Sequence, residues 1–156
     1  ESTELADLVP TSTPPRFDGA KPQANESMIR AFYSDFWQGK LDGMRTHVAP
    51  DMVFHVPGRS HLAGDYHGWA GYLAFRHELL KLAGGRYKLE MDTLATSSSD
   101  VFLKEYVRMN RKWDDDVRTV YVILHFRIEN GRIVRINDIP VDTYEYEAFF
   151  TRPGSA

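Results

Sequence analysis

The sequence predicts one α+β domain: a strongly curved, mostly antiparallel sheet rolled into a cone, with three helices from the N-terminal half across its concave face. Three observations predict it. Apolar residues at helical spacing recur in three stretches between Met28 and Leu80, parted by one strand and a loop. From Tyr87 onward the pattern changes to strand-like alternation broken by turn formers. The chain has 156 residues and no internal repeat, enough for a single sizeable core. Long antiparallel strands twist and curl, and three helices can cover only one face of them. The uncovered face calls for another partner, most simply a second copy, so a homodimer through the outer sheet face is expected.

Residues 1–24 carry Pro10, Pro14, Pro15 and Pro22 among Ser, Thr and Gly, the pattern of an irregular arm. The first residue is Glu1 and not Met, so a trimmed or tag-derived start is the expectation. The domain itself is expected over 25–150, with a short tail over 151–156. Asn25 reads as the N-cap of a helix carrying Met28, Ile29, Phe32, Tyr33 and Phe36, ended by Gly39. Leu41, Met44 and Val48 predict a short second helix stopped by Pro50. Met52 to Val56 reads as a strand, and PGRSHLAGDYHG after it as a glycine-rich loop. A third helix spans about Trp69 to Ala83, with Trp69, Leu73 and Leu80 as its stripe and Gly84-Gly85 as its stop.

The remaining elements are strands. Tyr87, Leu89, Met91, Thr93 and Ala95 alternate with Lys88, Glu90 and Asp92. Val101 to Trp113 and Arg118 to Ile128 are longer, separated by Asp114 to Asp116, a solvated turn that lacks the ligand pattern of a calcium loop. Asn130-Gly131 is a hairpin signal, so the last four strands form a meander. In the final strand Val134, Ile136, Asp138 and Pro140 share one face, and Ile133, Arg135, Asn137 and Ile139 the other. Tyr144, Tyr146, Phe149 and Phe150 form an aromatic tail placed to close the cone.

Composition narrows the function. A net charge of −3 leaves no basic footprint for nucleic acid. The absence of cysteine removes disulfides, thiolate metal sites and cysteine nucleophiles. No apolar run approaches the roughly 20 residues of a membrane span, and no signal-peptide pattern opens the chain, so the cytoplasm is the expected location. Aromatic residues at 13% suit an internal cavity or an extensive interface.

Asp138 is the residue around which these readings gather. A carboxylate on the apolar face of a strand must be paired, protonated or used, and burial raises its pKa toward neutrality. Glu105 lies in phase with Val101, Leu103, Val107 and Met109, so it faces inward too unless a bulge shifts the phase; pairing with Arg111 is its structural alternative. Two carboxyls in one cavity would push their pKa values apart. His55 is the third acid–base candidate, although its phase opposes Phe54 and Val56 and favours an outward ring. His61 and His67 flank the glycine loop, and His125 alternates with Leu124 and Phe126 toward the dimer side. No histidine pair has zinc spacing, so no metal is expected.

Two segments, DMVFHVPGRSHLAGDYHG (Asp51 to Gly68) and FRIENGRIVRINDIPVDTYEYEAFF (Phe126 to Phe150), together with GKLDGM after the first helix, resemble the SnoaL-like branch of the nuclear transport factor 2 (NTF2) superfamily. The resemblance covers about residues 25 to 150. It implies an NTF2-like cone, usually dimeric, with a small-molecule pocket inside. It embraces polyketide cyclases, ketosteroid isomerase, limonene epoxide hydrolase, scytalone dehydratase and binding domains without chemistry. Aligned on PGR and HFRI, the acid–base positions of ketosteroid isomerase fall on Val56 and Leu124, and its helix tyrosine on Phe32, with Tyr33 about 100° round the helix. That set is therefore absent. The cyclase and epoxide-hydrolase branches imply an acid on the last strand, where Asp138 fits.

The expected function is cofactor-free acid–base chemistry (cyclisation, isomerisation or dehydration) on a hydrophobic polyketide- or terpenoid-like molecule. Asp138, Glu105 and His55 are the catalytic candidates. Phe32, Tyr33, Phe36, Phe54, Val56, Tyr66, Trp69, Leu73, Leu124 and Ile136 are the substrate-contact candidates. A non-catalytic module binding a hydrophobic ligand or a protein is the alternative. An epoxide hydrolase is a further one, weakened because apolar Phe54 and Val56 stand where a tyrosine and an asparagine would be wanted.

Overall fold

Ile29, Phe32, Tyr33 and Phe36 repeat at three- and four-residue spacing, and they form the buried stripe of the first helix. The computed structural model describes residues 24–83, 87–110 and 117–151. The Pro-rich arm, the Gly84-Gly85 stop, Arg111, the Asp114–Asp116 turn and nearly all of the tail lie outside them. The order is α1 (Ala24–Trp37), α2 (Leu41–Thr46), β1 (Val48–Val56), β2 (Gly64–His67), α3 (Gly68–Leu82), β3 (Tyr87–Thr96), β4 (Asp100–Asn110), β5 (Val117–Glu129), β6 (Arg132–Pro140) and α4 (Thr143–Phe150). The strands make one curved six-stranded sheet in the order β2-β1-β6-β5-β4-β3. Only β1 and β6 pair in parallel, and β3 to β6 are the meander the turn signals predict. Asn130 and Gly131, with φ of 50° and 71°, take the left-handed conformations of the tight β5–β6 hairpin.

Several expectations need correction. Asn25 does not cap α1; it lies inside the helix, and its Nδ2 donates to the carbonyls of Ser97 at 3.2 Å and Ser98 at 2.9 Å, pinning α1 to the β3–β4 turn. Val48 and Pro50 belong to β1, not to a helix and its stop. Pro50 is tolerated because β1–β6 pairing is interrupted between Val48 and Val53, where a missing N–H removes no ladder bond. The glycine-rich loop contains the short strand β2, whose register sets Phe54 opposite Tyr66 and His55 opposite Asp65. In α3 the buried stripe is Tyr72, Phe75, Arg76 and Leu79, while Trp69, Leu73 and Leu80 are only half-buried. Gly71 is required there, since a Cβ would stand 2.8 Å from the backbone carbonyl carbon of Tyr66.

Breaks in register bend the sheet and reset side-chain phase. Between Met91 and Thr93 the β3–β4 register shifts, so Leu89 and Met91 are buried but Thr93 and Ala95 are exposed and Leu94 takes the inner side. Near Arg127 and Ile128 a second shift buries Ile133 and leaves Val134 half-exposed, against the expected alternation. From Ile136 onward the expected phase holds, with Ile136, Asp138 and Pro140 buried and Ile139 exposed. β4 keeps its phase throughout: Val101, Leu103, Glu105, Val107 and Met109 all face in.

The aromatic tail is a fourth helix, α4, capped by Asp142 Oδ1 accepting from the Glu145 N–H at 2.9 Å. It buries Tyr146, Phe149 and Phe150, while Tyr144 points into solvent. No helix among the described residues is long and apolar enough to cross a membrane.

Candidate functional site

The intact alternation at the end of β6 turns Asp138 onto the concave face, opposite Leu124 of β5. Its carboxylate is buried, and Oδ2 accepts a hydrogen bond from the Tyr146 hydroxyl at 2.6 Å. Oδ1 is also buried but has no hydrogen-bond partner among the described residues. Buried polar atoms are nearly always satisfied, so an orphan oxygen needs a reason. The reason is at hand: Asp138 lines a hollow enclosed by α1, α3, α4 and the sheet.

Most of the hollow's wall is carbon, supplied by aromatic side chains such as Phe36, Phe54, Phe75 and Phe150 and by aliphatic ones along β5. Its polar interruptions are the charge-bearing side chains Asp138, Glu105 and Arg76 and the phenols of Tyr33, Tyr72 and Tyr146. Its cavity volume is only about 50 Å³. A metabolite-sized ligand therefore enters only as wall side chains turn, and the unbranched Met109 is the most adaptable of them.

The two carboxyls are tuned apart. Burial pushes Asp138 up to about 6, held from rising further by the Tyr146 hydrogen bond and by the charge of His55. Burial and then the charge of Asp138 push Glu105 up to about 8, against the opposing pull of Arg76. Near neutral pH the pair thus holds one proton, with Asp138 as carboxylate and Glu105 as neutral acid. Burial also raises the phenols of Tyr33 and Tyr146, so both remain hydrogen-bond donors.

Of the substrate-contact candidates, Tyr33, Phe36, Phe54, Leu124 and Ile136 line the hollow. Phe32 does not; it is buried behind the wall, edge-on to Tyr72 and Phe126, and the 100° step along α1 brings Tyr33 to the hollow instead. Val56 backs a separate shallow depression beside Pro57 and Gly58. Tyr66 turns its hydroxyl to the Leu62 carbonyl at 2.8 Å, Trp69 stacks on Tyr72, and Leu73 is half-buried elsewhere on α3. His55 lies on the outer face, with Nδ1 2.6 Å from Asp65 Oδ1, and does not line the hollow. His125 also faces outward, stacked on Phe102 and hydrogen-bonded to Asp100 and Asn137. Among the described residues no three His, Asp or Glu side chains are grouped to hold a metal ion.

A helix-braced curved sheet with an inward acid on its last strand meets the sequence comparison at this point: the profile of the SnoaL-like domain matches residues 29–136, more than half of the chain. The chain belongs to the SnoaL-like family, within the NTF2-like superfamily.

Solved structures agree on the fold of this SnoaL-like protein. An NTF2-like protein of unknown function from Burkholderia pseudomallei K96243 is 26% identical, covering 84% of this chain and all (100%) of its own, with a TM-score of 0.70. TerC, crystallised with polyporic acid, is 21% identical over 82% of this chain and 98% of its own, with a TM-score of 0.68. A candidate SnoaL-like polyketide cyclase from Jannaschia sp. CCS1 is 13% identical over 86% of this chain and 99% of its own, with a TM-score of 0.67. No curated protein matches by sequence.

Among the polar residues of the SnoaL-like hollow that the sequence reading left out of its site are Arg76 and Tyr146. Both had a signal. Arg76 falls at i+4 from Tyr72 and i−3 from Leu79, inside the apolar stripe of α3. Tyr146 follows Asp142-x-x-Glu145, a helix-start pattern that would have turned the aromatic tail into α4.

Proposed function

We propose that this SnoaL-like protein is a cofactor-free acid–base enzyme that cyclises, isomerises or dehydrates a hydrophobic polyketide- or terpenoid-like metabolite. One observation carries the reading: the buried Oδ1 of Asp138, without a hydrogen-bond partner among the described residues, at the wall of a largely apolar hollow. Asp138, as carboxylate, takes a proton from a carbon beside a carbonyl. The neutral Glu105 donates a hydrogen bond to that carbonyl oxygen as it becomes an enolate. The proton on Asp138 then returns to another atom of the same molecule, and no oxidant or cofactor is needed. Aromatic walls hold the reacting conformer and keep water away. The fold likeness to a candidate polyketide cyclase and to a protein crystallised with polyporic acid supports the same substrate class.

The test is washout of deuterium into water from 2-tetralone labelled at its acidic methylene, an apolar bicyclic ketone. The expected rate is bell-shaped in pH. It rises as Asp138 ionises near pH 6 and falls as Glu105 ionises near pH 8. A rate that only climbs with pH, as hydroxide catalysis would give, overturns the reading.

The outer sheet face supports a homodimer in this proposal, because Phe102, Tyr121 and Ile139 are each more than 40% exposed there. Ile139→Lys is expected to halve the mass measured by light scattering while leaving the circular dichroism unchanged. A wild-type mass equal to one chain sinks the dimer.

A further inference from the structure

Tyr146 carries the one hydroxyl on the buried face of α4, whose other buried residues are Phe149 and Phe150. A phenylalanine there would keep the edge-on contact with the Phe150 ring, 4.8 Å between centres, and would bury no hydroxyl. Burying a hydroxyl costs free energy unless it is bonded. This one donates to Asp138 Oδ2 at 2.6 Å, the spacing of a charge-assisted bond to an ionised carboxylate. α4 is seated so that the hydroxyl arrives there: Asp142 caps its start, and the Glu147 carboxylate accepts from the backbone N–H of Arg59 at 2.6 Å. The terminal torsion of an aspartate is broad, so packing alone leaves the carboxylate plane loosely set. Among the described residues no other hydrogen bond holds that carboxylate, since Oδ1 has none.

We propose that Tyr146 is the positioning residue of the hollow: by holding Oδ2 it fixes the plane of the Asp138 carboxylate and presents Oδ1 to the ligand. This role rests on Asp138 being the base, and it makes α4 part of the site and not only a cover over it. The hydroxyl has two effects that oppose each other. It favours the charged form, so without it Asp138 is harder to ionise but, once ionised, a stronger base. Without it the carboxylate is also free to turn from the reacting carbon, and a misplacement of about 1 Å can cost on the order of 10²-fold. Electrostatics alone would therefore raise the limiting rate of Tyr146→Phe, whereas lost orientation lowers it. The other ionisable groups around Asp138 are Tyr33 of α1, Tyr72 and Arg76 of α3 and Glu105 of β4, with the charge of His55 of β1 reaching it from the outer face; β5 presents only apolar side chains. The substitution leaves all of them in place.

The experiment titrates Asp138 in wild type and in Tyr146→Phe by ¹³C NMR of the aspartate carboxyls, and follows 2-tetralone exchange over the same pH range. The signal lost in Asp138→Asn assigns the residue. In Tyr146→Phe the Asp138 midpoint is expected to rise by about 1–2 pH units, and the limiting exchange rate to fall by about 10–100-fold with KM little changed. A midpoint that stays in place, or a limiting rate equal to or above that of wild type, overturns the inference. Should Tyr146→Phe fail to fold, wild type labelled with ¹³C at tyrosine Cζ decides the matter. One tyrosine signal is expected to move with the Asp138 midpoint and to stop moving in Asp138→Asn, and the absence of such a signal overturns the inference. Failure here is separable from failure of the enzymatic reading. Bell-shaped wild-type exchange beside an unmoved midpoint removes only the role of Tyr146. A wild type without exchange removes the catalysis, and the midpoint in Tyr146→Phe then still decides whether Tyr146 holds the carboxylate.

Discussion

Asp138→Asn is expected to slow deuterium washout from 2-tetralone by about 10²–10⁴-fold, the range over which a positioned general base contributes. The substitution changes almost nothing else. Asn keeps an oxygen to accept the Tyr146 hydroxyl, which now donates to Oδ2 at 2.6 Å. It occupies the same volume opposite Leu124. Burial disfavours the charged carboxylate that Asn replaces, so the variant has no reason to be less stable at neutral pH. A thermal melt at or above that of wild type, together with lost exchange, assigns the loss to chemistry. Exchange equal to wild type would mean that the buried carboxylate moves no proton, leaving a binding module.

How legible this site was in the sequence depended on whether local pattern survived the bending of the sheet. Glu105 and Asp138 were readable because β4 keeps an unbroken alternation and the β6 irregularity falls before Ile136. Val134 and Thr93 were misplaced for the opposite reason. One shifted residue turns every following side chain to the other face, and nothing in a string of β formers announces where that happens. Helix faces failed differently. In α3 the expected stripe, Trp69, Leu73 and Leu80, missed the buried one, Tyr72, Phe75, Arg76 and Leu79, in which Tyr72 and Phe75 pack on Phe54 of β1. A cation within an apolar run reads as a surface position until the hollow behind it is seen. The fold was robust to these slips, since helix-then-strand order and the Asn130-Gly131 hairpin constrain it from many places at once.

The second carboxyl gives the sharpest stability experiment. Folding raises Glu105 from 4.5 to about 8. Between those values the native state holds a proton that the unfolded chain releases, so stability is full below about pH 4.5 and falls as pH rises toward 8. Asp138 adds a smaller loss of the same sign between its ordinary 3.8 and about 6. Glu105→Gln keeps the shape of the neutral acid and removes its titration. Near pH 5 the variant should melt with wild type. By pH 9 it should be more stable by on the order of 5 kcal/mol, the size of the removed shift, or roughly 10–20 °C in Tm for a domain of this length. The same variant bears on the chemistry: with no proton to lose at residue 105, the alkaline limb of the 2-tetralone profile should flatten while the limb set by Asp138 remains. A Tm difference independent of pH would mean that Glu105 ionises in the folded protein as it does in water, and that the hollow near β4 is wet.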